Sequence, residues 1–459
     1  MDPRATGVKR ARHALRRGAH VQEQPAGNTE PMTALPSRPN NTVNPMGLTR
    51  TDEVRQAAAR LFEKQGFSAT TMNDIAEATG MLPGSLYHHF PSKEEIAVDL
   101  LTYYNQALVD LGRRAVKRVT DRAAPPEDLV RLLVRDVLSL SFEHAAAGRL
   151  RAYEAPTVAK ERFSTALAIQ STALTRAWQR TVVTLDTLPD KPQVDLGLLR
   201  FTMQRLTSDS IGYYTSSLST GQLADHLCDL LFQGLAVACP PDTELAGSPA
   251  HQAARESLRD WERAAHAGAP GDRETIVAAA RALFARRGYS ATTIRDVALA
   301  AGTPMATLYR RVESKEVLLH EIVGAHTSRL DLLMSAVATS GATEVEMVDA
   351  LAEAYVTVSR RFSQETRIVT FGLSGREAGT TALDDYYRAA ENRLQMLEST
   401  VARGLRNRSL RPHGSPLETA MHLRAVLWIP YHEYGRSSAR RAHAFLRDSL
   451  LRGALRGGR

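Results

Sequence analysis

The sequence predicts an all-α protein made of two tandem units, each a three-helix head of helix-turn-helix type followed by a longer helical body. Three observations carry that prediction. Apolar residues recur at three- and four-residue spacing through most of the chain, as in Val54, Ala57, Ala58, Leu61 and Phe62, while strand-like alternation is scarce. A 50-residue pattern starting at Thr51 recurs without a gap 222 residues later, starting at Arg273, with 18 identical pairs. A stretch rich in Pro, Gly and Ala separates the two units, and a repeat so long and so distant implies two domains rather than a solenoid.

Composition narrows the class. The 459 residues are 43% hydrophobic, and no run of about 18 apolar residues occurs, so no membrane span is expected. The two cysteines, Cys228 and Cys239, sit in apolar sequence and predict buried thiols, with neither a disulfide framework nor a metal site. The stretch 1–14 lacks the apolar core of a secretory signal, so a cytoplasmic location is expected. The net charge is +8, yet the excess lies largely in the tails, from Arg4 to Arg17 and from Arg436 to Arg459. The first repeat is slightly acidic, with five Lys/Arg against eight Asp/Glu between Arg50 and Leu100. Charge alone is therefore weak support for a nucleic-acid partner. No nucleophile elbow, phosphate loop, dinucleotide fingerprint or zinc spacing is present, so no catalytic residue, metal or cofactor is expected.

In chain order, residues 1–48 read as a disordered basic tail, and 49–96 as the first head. The first body, 97–239, has amphipathic stretches at about 94–119, 127–147, 158–185, 195–218 and 221–238. A linker follows at 240–270, opening with Cys239-Pro240-Pro241 and holding one short helical stretch at 250–266. The second head spans 271–318, with helices at about 272–287, 294–301 and 305–311. The second body spans 319–457, with helices at about 315–338, 343–361, 380–406, 416–434 and 437–455.

Within each head the local signals are specific. The first helix stops at Gly66, a residue that tolerates a left-handed turn. Thr71 caps a second helix and Asp74, three residues on, completes a capping box; Thr293 and Asp296 repeat it. Ile75, Ala76 and Ala78 permit close packing, and Gly80 ends the helix. A short turn leads to a third helix with Gly84-Ser85-Leu86-Tyr87-His88-His89, and Ser92 caps the fourth. Two short helices joined through a glycine turn form a unit whose second helix can enter the DNA major groove. His88 and His89 are adjacent, hence about 100° apart on the helix, which suits a DNA or surface role rather than a shared metal.

These residues carry a resemblance. The run Ala57-Ala58, Leu61-Phe62, Gly66-Phe67, Thr70-Thr71, Asp74-Ile75-Ala76, Ala78, Gly80 and Gly84 to Glu95 resembles the DNA-binding domain of the TetR family of transcriptional repressors. The second copy resembles it too, but has Val312-Glu313 where the pattern has Phe-Pro. The resemblance covers both heads strongly and the bodies weakly. It implies a double-stranded DNA operator as partner. The N-terminal amides of the second helix, with Thr71 or Thr293, suit a phosphate, and Tyr87, Tyr309, Lys93 and Lys315 match the family's phosphate-contacting positions. Gly84, Ser85 and His88 in the first copy, and Met305, Thr307 and Arg310 in the second, fall where base edges are read. Arg310 can pair bidentately with guanine and His88 reads more weakly, so the two heads should prefer different half-sites.

The same resemblance implies a ligand pocket and a dimer interface in each body. Pocket candidates are Tyr153, Trp178, Met203 and Tyr213 in the first, and Tyr355, Phe371, Tyr387 and Trp428 in the second, though each also suits ordinary core. The stretch 80–95 resembles lipid- and acyl-CoA-responsive members, which implies an apolar or acyl-CoA-like effector. The apolar faces of 195–238 and 416–455 look like the family's last two helices. Two arrangements follow: the chain folds back as a pseudo-dimer on one asymmetric operator, favoured by tethering, or each half pairs with its twin in a homodimer. The expected function is a ligand-released repressor. A sensor or scaffold that has lost DNA binding in one or both heads is the alternative, and the acidic first copy points toward it.

Overall fold

A computed structural model describes residues 49–67, 69–153, 161–169, 171–190, 192–208, 218–266, 272–372 and 381–455. Among them the architecture is all-α, as expected, with one isolated bridge between Ala236 and Leu410. The basic tail 1–48 lies outside the described residues.

The first head consists of α1 (Arg50–Gln65), α2 (Met72–Thr79) and α3 (Pro83–His89). Its body begins with α4 (Lys93–Thr120) and continues through α5 (Pro126–Glu143), α6 (Ala145–Tyr153), α7 (Glu161–Ala168), α8 (Thr172–Val183), α9 (Leu196–Ser208) and α10 (Thr220–Gln233). α4 enters from the Ser92 cap with Glu94 and Glu95 in its first turn and leaves with Lys117 and Arg118 in its last, complementing the helix dipole. The stretch expected as one helix over 158–185 is two, because the Ser171 side chain accepts from the Leu174 amide and starts a new helix. α10 ends at Gln233, capped by Gly234, five residues before its expected limit.

The segment expected as a linker is built into the second unit. It holds α11 (Asp242–Gly247) and α12 (Pro249–His266). Ala250, Ala254, Leu258 and Trp261, at three- and four-residue spacing, are all buried. Trp261 stacks on Phe362 with ring centroids 4.2 Å apart and meets His326 edge-on at 5.4 Å. The second head follows as α13 (Asp272–Arg287), α14 (Ile294–Ala300) and α15 (Met305–Arg311). Its body is α16 (Lys315–Ala338), α17 (Glu344–Arg361), α18 (Ser363–Gly372), α19 (Thr381–Arg406), α20 (Pro416–Leu427) and α21 (Ala439–Leu446), which runs on as a π turn over Arg447–Arg452. α12 packs against α16 and α17. α18 was not anticipated, and α20 stops short of its expected end, with Pro430 two residues past its Trp428 cap.

One apolar core runs through both units. They meet along α9 and α10 on one side and α20, α21 and the π turn on the other. The chain segments that leave α10 and the π turn cross with a reciprocal pattern of backbone hydrogen bonds. The Leu235 amide donates to the Leu450 carbonyl at 2.6 Å, and the Ala454 amide to the Leu231 carbonyl at 2.8 Å. The Ala236 amide donates to Leu451 at 3.0 Å, and the Leu455 amide to Phe232 at 3.0 Å. A constant offset of 219 residues converts each bond into its mate, the signature of a two-fold related contact. The crossing rests on two glycines with positive φ, Gly234 at 68° and Gly453 at 88°. A Cβ on Gly234 would lie 2.4 Å from the Gly453 nitrogen, and one on Gly453 would lie 2.4 Å from the Gln233 carbonyl carbon. Both demand glycine for conformation and for space.

Side chains extend the same contact. Asp195 caps α9 by accepting from the Gly197 and Leu198 amides at 3.0 and 3.1 Å, and its other oxygen accepts from Arg441 at 2.9 and 2.5 Å. The Thr202 hydroxyl donates to the fully buried Tyr431 hydroxyl at 3.3 Å. His413 donates to the Gly234 carbonyl at 3.0 Å.

Candidate nucleic-acid interface

In each head the second helix is positioned by its cap. The Thr71 hydroxyl accepts from the Asp74 amide at 3.2 Å, and the Asp74 carboxylate accepts from the Thr71 amide at 2.8 Å. The same box forms between Thr293 and Asp296 at 3.1 and 2.9 Å. These hydrogen bonds, from the Thr71 backbone first, hold the Asp74 carboxyl below its usual range; the Thr293 hydroxyl and backbone do the same for Asp296. The helices end at left-handed Gly80 and just before left-handed Gly302, which reverse the chain into the third helix.

The third helix is pinned by a single buried residue. Leu86 and Leu308 are fully buried, whereas their neighbours Tyr87 and Tyr309 are 51% and 57% exposed. Gly84, Ser85 and His88 are exposed on α3, and Arg310 is exposed on α15, with Met305 and Thr307 half-buried. Arg310 donates to the Thr307 hydroxyl at 3.0 Å, which orients the guanidinium along the helix face. The departure at Val312 leaves the module intact, because Val312 is buried in the place Phe90 occupies in the first head.

Lys93 and Lys315 have an internal task that the sequence did not disclose. Lys93 Nζ donates to the carbonyls of Phe67 and Thr70, both at 2.8 Å, and lies 4.7 Å from the Phe67 ring centroid. Lys315 does the same to Tyr289 and Thr292, both at 2.9 Å, with the Tyr289 ring at 4.1 Å. Each lysine thus ties the turn between the first two helices to the start of the long helix. A further cation, Arg295, is exposed in the first turn of α14 two residues after the Thr293 cap, where the first head has Asn73. Its signal was its place beside the capping box.

The pocket candidates are only partly gathered. Trp178 is fully buried core, and Met203 borders a small apolar cavity with Val134, Leu206, Thr207, Leu227, Cys228 and Leu231. Tyr355 and Trp428 meet edge-on at 5.9 Å, while Tyr387 abuts Tyr386 at 5.7 Å. The side chains of Tyr153 and Phe371, and all of Tyr213, lie outside the described residues. Near Tyr153, Arg151 donates to Asn105 and lies 5.2 Å from the Tyr104 ring centroid. Burial pushes its guanidinium pKa down, and among the described residues no carboxylate pairs with it.

Two exposed third helices, each set behind a capped second helix, define a pair of helix-turn-helix modules on one chain. The family profile described as "Bacterial regulatory proteins, tetR family" matches residues 54–100 and 276–322. The chain is 39% identical over 98 residues to the HTH-type transcriptional repressor KstR2 of Mycolicibacterium smegmatis, covering 21% of this chain and 46% of that protein. It is 36% identical over 115 residues to KstR2 of Rhodococcus jostii, covering 25% and 55%. The chain thus spans about half the length of the curated relatives it matches. Among solved structures, the ketosteroid transcriptional regulator KstR2 of Mycobacterium tuberculosis is 26% identical, over 41% of this chain and 93% of that one, with a TM-score of 0.31. AibR, solved with isovaleryl coenzyme A and operator DNA, is 20% identical over 40% and 100%, with a TM-score of 0.36. Each of the two modules thus matches the DNA-binding unit of the tetR family, which this chain carries twice.

Proposed function

We propose that the chain is a cytoplasmic, ligand-released transcriptional repressor that reads one asymmetric operator with two unlike heads of a single polypeptide. The observation that supports this best is the reciprocal crossing of 231–236 with 450–455, in which one half supplies the contact surface a second chain would otherwise provide. In this reading the heads are 49–96 and 271–318 and the bodies 97–239 and 319–457, with 240–270 joined to the second body. Thr71, Tyr87, Thr293 and Tyr309 contact phosphates, with Lys93 and Lys315 adding positive charge behind them. Ser85 and His88 read one half-site beside Gly84, and Thr307 and Arg310 read the other beside Met305. Arg295 adds a backbone contact on the second side. The effector is apolar with an acidic or CoA-bearing end, a reading supported by Arg151, a largely buried guanidinium that, among the described residues, has an amide oxygen and no carboxylate as acceptor.

The test is selection of operators from random duplex DNA by the full chain, followed by selections with Tyr87→Phe or Tyr309→Phe. An asymmetric consensus whose two halves weaken separately with the two variants supports the reading. A palindromic consensus contradicts it. A second reading, in which the first head no longer binds DNA, is favoured by its acidic balance and by histidines where α15 carries Arg310 and Arg311. It predicts a single half-site that is insensitive to Tyr87→Phe.

A further inference from the structure

The junction between the connecting helix and the second body holds a group of side chains that the regulatory reading leaves unused. His251 on α12, Asp349 and Glu353 on α17, and His443 on α21 converge from three helices. One donor atom from each of His251, Asp349 and His443 lies within 4.8 Å of the other two. His251 Nε2 is 3.3 Å from Asp349 Oδ2 and 3.2 Å from Glu353 Oε2, and His443 Nε2 is 3.1 Å from Asp349 Oδ1.

We propose that these four residues form a binding site for a divalent transition-metal ion such as zinc. Donors held at metal bonds of about 2.0–2.2 Å in a tetrahedron are separated by roughly 3.3 Å, and the His251–Asp349, His251–Glu353 and His443–Asp349 pairs already lie at 3.3, 3.2 and 3.1 Å. Two imidazoles with two carboxylates suit zinc and its first-row neighbours rather than calcium or magnesium. His251 is fully buried, and its Nε2 makes no hydrogen bond although two carboxylate oxygens lie beside it. A buried nitrogen aimed at anionic oxygens without bonding either is a costly arrangement that a cation between them relieves. The surrounding contacts orient the donors. Ser248 Oγ is 3.2 Å from His251 Nδ1, leaving Nε2 to face inward. Arg447 holds Asp349 from the other side at 2.6 to 3.1 Å. A carboxylate offers about four acceptor positions, and this bidentate pairing uses two. The side chain of Glu353 is 30% exposed and that of His443 13%, which opens one edge to solvent.

Linear spacing shows no metal motif, because the donors are assembled only when α12 folds onto the second body. The ion ties the helix that leads into the second head to α21, which packs across the two halves.

The test is titration of the metal-free full chain with cobalt(II), read by its visible absorption, and with zinc(II), read by calorimetry and by the unfolding midpoint. The expected result is one ion per chain, a tetrahedral cobalt spectrum and a higher midpoint with zinc. His251→Gln or His443→Gln should abolish the spectrum, and Glu353→Gln, a partly exposed change that leaves the core intact, should weaken binding at least about tenfold. Absence of saturable binding overturns the proposal. So does stoichiometric binding with an unchanged spectrum in both histidine variants, which would place the ion on other histidines. If a histidine variant fails to fold, the Glu353→Gln comparison decides.

Discussion

At the scale of single residues, the proposed DNA contacts of the heads are separated from fold support unequally. Tyr87 and Tyr309 are half-exposed, so Tyr87→Phe should leave the unfolding midpoint unchanged while weakening operator binding by about 1 kcal/mol, read by fluorescence anisotropy. Lys93→Ala is a less clean probe, because it also frees the carbonyls of Phe67 and Thr70 and should cost stability as well. Arg310→Ala should cost about 1–3 kcal/mol and relax base preference in one half-site, with a smaller effect from His88→Ala; binding to a panel of single-base operator variants measures both. Buried histidines set the acid response. Burial pushes His326 and His422 down to about 3 from 6.5. The unfolded chain therefore takes up their protons first as pH falls, and stability drops between about 6.5 and 3. Glu344 acts in the same direction at lower pH. Burial alone would raise its carboxyl, but hydrogen bonds from Asn407, Arg403 and Ser409 hold it at about 2, so its contribution is lost as pH falls from 4.5 toward 2. His326→Leu should recover about 1–3 kcal/mol at pH 4 relative to pH 7, measured by urea unfolding at both pH values.

At the scale of elements, what could be read from sequence was what local chemistry decides. The boxes Thr71/Asp74 and Thr293/Asp296, the glycine stops and the buried Leu86 and Leu308 place the short helices of the heads to within a residue or two. The body helices α4, α16, α17 and α19 were equally legible, since their apolar stripes run for several turns. Errors fell where a distant segment or a single cap decides. Ser171 divides a continuous amphipathic stretch, and α10 stops at Gly234 because the backbone there must pair with residues beyond α21. The buried face of α12 showed in the spacing of Ala250, Ala254, Leu258 and Trp261, but its partners Phe362 and His326 lie far along the chain. The candidate reading residues were suggested by position, whereas the internal bonds of Lys93 and Lys315 were not, because they need the folded turn. The glycine crossing gives a sharp expectation. Gly234→Ala or Gly453→Ala adds a methyl about 2.4 Å from backbone at a positive φ, and each should cost roughly 2–4 kcal/mol in thermal or denaturant unfolding.

At the scale of the whole molecule, the two units share one core and close on each other through a contact that repeats under a 219-residue shift. That closure leaves two heads with different side chains at the proposed reading positions on one chain, so target symmetry and chain stoichiometry become the same question. The direct measurement is the solution mass of the purified protein, free and bound to its selected operator, by light scattering. The free protein should have a mass of about 50.3 kDa, and the complex should hold one chain per asymmetric site. Twice that mass in the free protein, with two chains on a palindromic site, would contradict that expectation.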